Sequence, residues 1–206
     1  MSQFKEMFSN TYANNMWGSS ESLSGPGSDW AFANGYANEL VRIINQYQIK
    51  TVFDSSCGDW NWMKEIKEHL PEYIGNDVVE SVIERNTELY SSPNIRFQSG
   101  DMIENLSKED SVDLVISRHT LEHLPTYYCV GFCNEVVNKA KYAIITSMNW
   151  DDKDNGDIYA NGVSSRAVDL DKEPYLSILG EPIERIWDHT SERGERGTYG
   201  YLYKFR

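Results

Sequence analysis

Two hydrophobic rhythms alternate through the middle of the chain. Short apolar runs at Thr51–Phe53, Tyr73–Ile74 and Ile95–Phe97, then VDLVIS at 112–117 and KYAIIT at 141–146, have the length and residue types of buried strands. Between them apolar residues recur at helical spacing: Met63, Ile66 and Leu70 until Pro71, then Val79, Val82, Ile83 and Leu89, then Tyr128, Phe132 and Val136. A further helix is predicted from a cap at Ser28 or Asp29 to about Gln46, carrying Leu40, Val41, Ile43 and Ile44. The third crossover, roughly 103–111, is short for a helix. Strands alternating with helices through right-handed crossovers predict a parallel sheet.

Both ends of the chain break this rhythm. Residues 1–28 are rich in Ser, Gly and Asn, with Phe4, Phe8, Tyr12 and Trp17 set among them. The WGSSESLSGPGS run excludes regular structure there, and the aromatics favour a lid over a site rather than a floppy tail. From Asn149 the texture turns polar, as in a substrate loop, and 181–189 and 197–205 then alternate with period two, as an antiparallel pair closing the sheet edge. The expected organisation is one domain over 1–206, with a cap at 1–28, a core at 29–148 and a substrate loop with closing strands at 149–206.

Composition narrows the partners. A net charge of −13 repels phosphate backbones, which argues against nucleic acid or an anionic membrane as partner. Three cysteines without a CxxC point to neither a disulfide framework nor a zinc site, and Cys129 and Cys133 read as buried small hydrophobes. The N-terminal run lacks the apolar segment of a signal peptide, so a soluble, cytoplasmic protein is expected. A homodimer stays open.

The candidate chemistry gathers where the predicted strands end. After Thr51–Phe53 come Asp54 and the small residues Ser55, Ser56, Cys57 and Gly58, a tight strand-to-helix turn. In a doubly wound sheet, ligands lie outside the carboxyl ends of the strands, and small residues let a ligand approach the backbone. An ordinary turn without a ligand is the other reading of this stretch. Asp77 follows Asp54 by 23 positions and ends the second strand, where a carboxylate accepts hydrogen bonds from ribose hydroxyls. Asp101 ends the third. Singly each acid suits a turn or cap; together they point to a nucleoside ligand.

VFDSSCGDW, YIGNDVV, FQSGDM and VDLVISRHTLEHLP, in that order, resemble the class I S-adenosylmethionine-dependent methyltransferases over roughly 48–148. The resemblance is closest to a bacterial small-molecule subgroup with a CGD-[FW]-NW-M signature and a WG…GPGS segment. It implies a single Rossmann-like, doubly wound, seven-stranded sheet, mostly parallel with an antiparallel C-terminal edge pair. It also implies S-adenosyl-L-methionine held by Asp54, Ser56, Cys57 and Gly58, by Asp77 with Val78, and by Asp101 with Met102. Trp17, Ser55, Trp60 and Arg118 complete the expected cofactor set. Ser56 and Trp60 replace two of the family's usual glycines, so Trp60 is expected to pack beside the cofactor or shape its pocket. The family's amino-methylating N/D-P-P-[YF] motif is absent, and Arg118-His119-Thr120 stands in its place.

Methyl transfer from a sulfonium is an in-line displacement that needs alignment and dryness, plus a base when the acceptor is an alcohol. His119 and His123 are the candidate bases, with Arg118 as an anion clamp, and Tyr12, Arg118, His119 and Trp150 as the expected acceptor contacts. Each has a plainer reading: His123 pinning its turn, Arg118 bridging to an acid such as Glu122. The H-x-x-x-H spacing lacks the glutamate of a zinc helix, so no metal is expected. The expected activity is O-methylation of a sugar, phosphorylated sugar or nucleotide-linked precursor. A catalytically silent cofactor-binding module and, more remotely, an NAD-type oxidoreductase are the alternatives.

Overall fold

The computed structural model describes residues 2–148, 155–158, 164–189 and 198–206. Seven strands form one sheet in the order β3-β2-β1-β4-β5-β7-β6. The strands are β1 (Thr51–Asp54), β2 (Glu72–Asp77), β3 (Ile95–Ser99), β4 (Val112–Ser117), β5 (Ala140–Met148), β6 (Glu184–His189) and β7 (Thr198–Lys204). β1 to β5 pair in parallel, while β7 is antiparallel to both β5 and β6. This is the mostly parallel seven-stranded sheet that the sequence predicts, antiparallel closing pair included.

Side-chain alternation divides the core into two layers. Val52, Leu114, Ile116 and Ile144 face a layer that contains α2 (Trp30–Gln46), with Tyr36, Leu40 and Ile43 buried in it. Phe53, Val115, Ala143 and Ile145 face the opposite layer, built on α4 (Met102–Lys108), α5 (Thr126–Lys139) and α6 (Tyr175–Leu179). α3 (Glu80–Tyr90) follows β2. The strand order reverses between β1 and β4, which leaves a crevice beyond their carboxyl ends. No described helix is long and apolar enough to cross a membrane.

Three local expectations change. Residues 63–69 form 3-10 turns rather than an α-helix. Trp60 precedes them with φ 60°, a left-handed conformation that an α-helix spanning 60–70 does not allow. The N-terminal segment is not all irregular, because α1 (Ser2–Ala13) is a helix. Phe4, Phe8 and Tyr12 lie on one face of it at four-residue spacing and pack against Tyr128, Val79 and Val82. Burial of that face stabilises a helix that Ser- and Asn-rich propensity does not announce. The short third crossover does hold a helix, α4, because Asp101 caps it: its Oδ1 accepts from Ile103 N at 2.9 Å and Glu104 N at 3.1 Å.

Candidate active site

The turn after β1 is fixed from three directions. Ser55 N–H donates to Ile116 O of β4, and Cys57 N–H to Asn76 O of β2. Asp77 Oδ2 accepts from Gly58 N at 3.1 Å, and Asn86 of α3 donates to Gly58 O at 2.7 Å. Asn76 ties the strand ends together: its Nδ2 donates to Ser55 O at 2.9 Å, while its Oδ1 accepts from Asn105 at 2.8 Å.

Gly58 has φ 57°, and a Cβ there would lie 2.3 Å from Ser24 Oγ and 3.0 Å from Tyr12 Oη. The close approach that demands glycine is therefore made by the N-terminal segment. Asp59 clamps that segment, its carboxylate accepting from Ser22 Oγ (2.9 Å), Leu23 N (2.7 Å) and Ser24 Oγ (3.0 Å). Tyr12 then donates its hydroxyl proton to Ser24 Oγ at 2.8 Å. Glu21, also of this segment, accepts from Trp30 N at 2.8 Å and so caps α2 in place of Asp29.

Beneath this roof lies a cleft of about 300 Å³. It sits in the crevice beyond β1 and β4. Phe4, Phe8, Val78, Met102 and Tyr128 form its apolar side, and Trp17 and Tyr12 line it from the roof. Asp54, Ser55, Ser56, Cys57, Gly58, Asp77 and Asp101 line the strand-end side. Asp101 is engaged already, capping α4 with Oδ1 and accepting from Tyr128 Oη through Oδ2 at 2.7 Å. Trp60, expected among the cofactor residues, does not line the cleft. It is 1% exposed and packs behind the turn against Tyr73, Tyr90 and Phe97.

Asp54 and Asp77 are buried carboxylates. Burial pushes Asp54 up to about 7 despite the hydrogen bond from Tyr73 Oη at 2.7 Å. Burial likewise pushes Asp77 up to about 6, against the backbone N–H groups of Val79 and Gly58. Ser55 Oγ and Trp17 Nε1 are buried without a hydrogen-bond partner. Polar atoms left unsatisfied in an apolar cleft call for ligand groups to complete them. A ribose diol facing Asp77, a cationic amino acid moiety near Asp54 and an adenine ring along the apolar side fit this set.

The other end of the cleft carries Arg118, His119, Thr120, Glu122 and His123, from the turn after β4. Arg118 was expected to clamp an anion, but its charge is already engaged. Nε and Nη2 bind Asp188 of β6, with Nη2 to Oδ1 at 2.5 Å, and Nη1 donates to Gly27 O at 3.0 Å. The guanidinium also lies over the rings of Tyr36 and Trp62, at 5.1 and 5.4 Å from their centroids.

His119 sits between two acids, with Nδ1 3.0 Å from Glu122 Oε1 and Nε2 3.4 Å from Asp188 Oδ2. Burial opposes its charged form, but these carboxylates outweigh it and raise the imidazole to about 9. This favours the cationic ring at neutral pH, where the sequence suggested a base near neutrality. His123 Nδ1 is 2.9 Å from the Ser164 carbonyl. A carbonyl only accepts, so Nδ1 carries a proton, and in the uncharged ring the lone pair lies on Nε2.

Trp150, an expected acceptor contact, lies outside the described residues. Among the described residues no group of three or more His, Cys, Asp or Glu is arranged to hold a metal ion. The three cysteines are free and buried. The sequence reading missed Asn76, Asp59 and Asp188. Asp188 did leave a signal, because period-two alternation places it on the same face as buried Ile186.

Residues 52–141 match the family model described as "Methyltransferase domain". No curated protein sequence matches the chain. Among solved structures, the chain is similar to magnesium protoporphyrin IX methyltransferase from Synechocystis PCC 6803 with bound SAH, at TM-score 0.64 and 13% identity over 98% of this chain and 97% of that one. The methyltransferase domain of bacterial CtHen1-C gives TM-score 0.63 and 16% identity over 82% and 96% of the two chains. The N-terminal domain of EvdMO1, in the presence of SAH and D-fucose, gives 0.58 and 12% over 84% and 83%. These likenesses show a shared fold. In sheet order, and in the family model that residues 52–141 match, the chain has the fold of the class I S-adenosylmethionine-dependent methyltransferases.

Proposed function

We propose that the protein is an S-adenosylmethionine-dependent methyltransferase that O-methylates a small molecule: a sugar, a phosphorylated sugar or a nucleotide-linked precursor. The observation that carries this reading is Asp77, a buried carboxylate lining a roofed cleft at the strand-order reversal, beside the Gly58 turn. In this reading residues 1–28 cap the cofactor, 29–148 hold it, and 149–206 supply the substrate loop and closing strands.

When bound, S-adenosylmethionine supplies an electrophilic methyl group on sulfur. Asp77 accepts the ribose hydroxyls, Asp54 faces the cationic end, and Phe4, Phe8 and Trp17 of the roof exclude water. Arg118 and His119 hold the acceptor turn against β6. His123 takes the proton of an acceptor hydroxyl on Nε2, a role supported by its fixed Nδ1–H bond and its place in the cleft wall. The aromatic roof suits a sugar face, and the neighbour crystallised with D-fucose is in keeping with that class.

The test pairs calorimetric binding of S-adenosylmethionine with turnover against nucleotide sugars, glycosyl phosphates and free sugars. Binding with product from at least one acceptor is expected. Tight binding without product from any acceptor identifies a silent cofactor-binding module instead. His123→Asn is expected to lower kcat about 100-fold while leaving the cofactor Kd in place.

A further inference from the structure

Glu122 differs from the other charges at the acceptor end of the cleft. Oε1 is bound to His119 Nδ1 at 3.0 Å, whereas Oε2 is buried with no hydrogen-bond partner. The side chain is 2% exposed and lines the cleft. The adjacent His119 keeps this carboxyl ionised, holding it below its ordinary range against the effect of burial. A buried, ionised oxygen without a donor is costly, and a folded protein keeps one where a ligand supplies the missing proton donor.

The surrounding charges define which donor fits. Two cations, Arg118 and His119, are matched by two acids, Asp188 and Glu122. Arg118 spends its remaining direction on Gly27 O of the roof. Among the described residues that line this end, no positive charge is left over for a phosphate or carboxylate, and an anion placed here would meet Glu122 Oε2 directly. A neutral hydroxyl completes the site instead.

We propose that Glu122 is an acceptor-binding residue whose Oε2 takes a hydrogen bond from a hydroxyl of an uncharged polyhydroxy acceptor. The cleft then selects a neutral sugar over its phosphorylated or acidic counterpart. This rests on the methyltransferase reading above and narrows its substrate class. Glu122 binds and orients; the proton lost on methylation goes to His123.

The experiment is a calorimetric titration of the protein saturated with S-adenosylhomocysteine, using matched pairs: methyl hexosides against their phosphates, and a deoxyhexose against the corresponding uronate. The neutral member of each pair is expected to bind at least about tenfold tighter, because an unpaired buried polar group penalises the mismatched ligand. Glu122→Gln is expected to weaken the neutral ligand about tenfold and close that gap, with the S-adenosylhomocysteine Kd unchanged. Equal or tighter binding of the anionic member to the unaltered protein overturns the proposal, and this comparison needs no variant to fold. So does a neutral ligand indifferent to Glu122→Gln, or no sugar bound to a protein that does bind S-adenosylhomocysteine. Failure of S-adenosylhomocysteine itself to bind overturns the methyltransferase reading and the proposal with it.

Discussion

The two ends of the cleft treat buried charge in opposite ways. At the β1–β2 end, Asp54 and Asp77 make hydrogen bonds but no ion pair among the described residues, and burial pushes them up to about 7 and about 6. At the β4 end, Glu122 is equally buried yet held below its ordinary range, because His119 is bonded to it. His119 in turn rises to about 9 against its own burial. The environments match in dryness and differ in whether a countercharge lies within bonding distance. Charge matched inside the protein builds the wall; a ligand is expected where a charge lacks a counterion, as at Asp77, or an oxygen lacks a donor, as at Glu122 Oε2.

The comparison is tested most severely at Arg118. Arg118→Met takes the guanidinium from Asp188, whose side chain is fully buried, and is expected to cost about 3–5 kcal/mol of unfolding free energy in urea titrations. A loss below about 1 kcal/mol would show the network to be solvated and the contrast false. A smaller and different effect is expected at the opposite end. Asp77→Ala should weaken S-adenosylmethionine binding by about 1–3 kcal/mol in calorimetry, through lost hydrogen bonds to an ionised acceptor. An unchanged Kd would remove Asp77 from the site.

The mildest test is pH, and the two ends should respond over different windows. Asp77 must be ionised to accept hydroxyls, so cofactor affinity is expected to hold above about 6 and fall, by at most about tenfold per pH unit, as pH drops through that value. His119 is raised from 6.5 to about 9. Its contribution to stability is therefore full below 6.5 and lost as pH rises through 9. Asp54 has the same sense over a lower window: the folded protein holds a proton between 3.8 and about 7 that the unfolded chain has released, so its share of stability is lost as pH rises across that range. Tm against pH for the ligand-free protein, compared with His119→Gln and Asp54→Asn, separates these two contributions.

The sequence by itself determined the sheet. Strand-length apolar runs alternating with helical spacing, and a period-two pair at the end, allow few arrangements once crossovers must be right-handed. It also located the Asp54–Gly58 turn and Asp77, because strand ends in such a sheet are where short polar residues gather. Only the tertiary structure decided which charges were spent. Arg118 and Asp188 lie 70 positions apart, and their pairing turns an expected anion clamp into a strut. His119 is held between the same acid and Glu122. Gly58 is small for the sake of Ser24 and Tyr12, and Trp60 turns away into a cluster of rings. Periodicity reports which face of an element is buried. Whether a buried charge meets its opposite depends on contacts between distant segments, which local sequence does not encode.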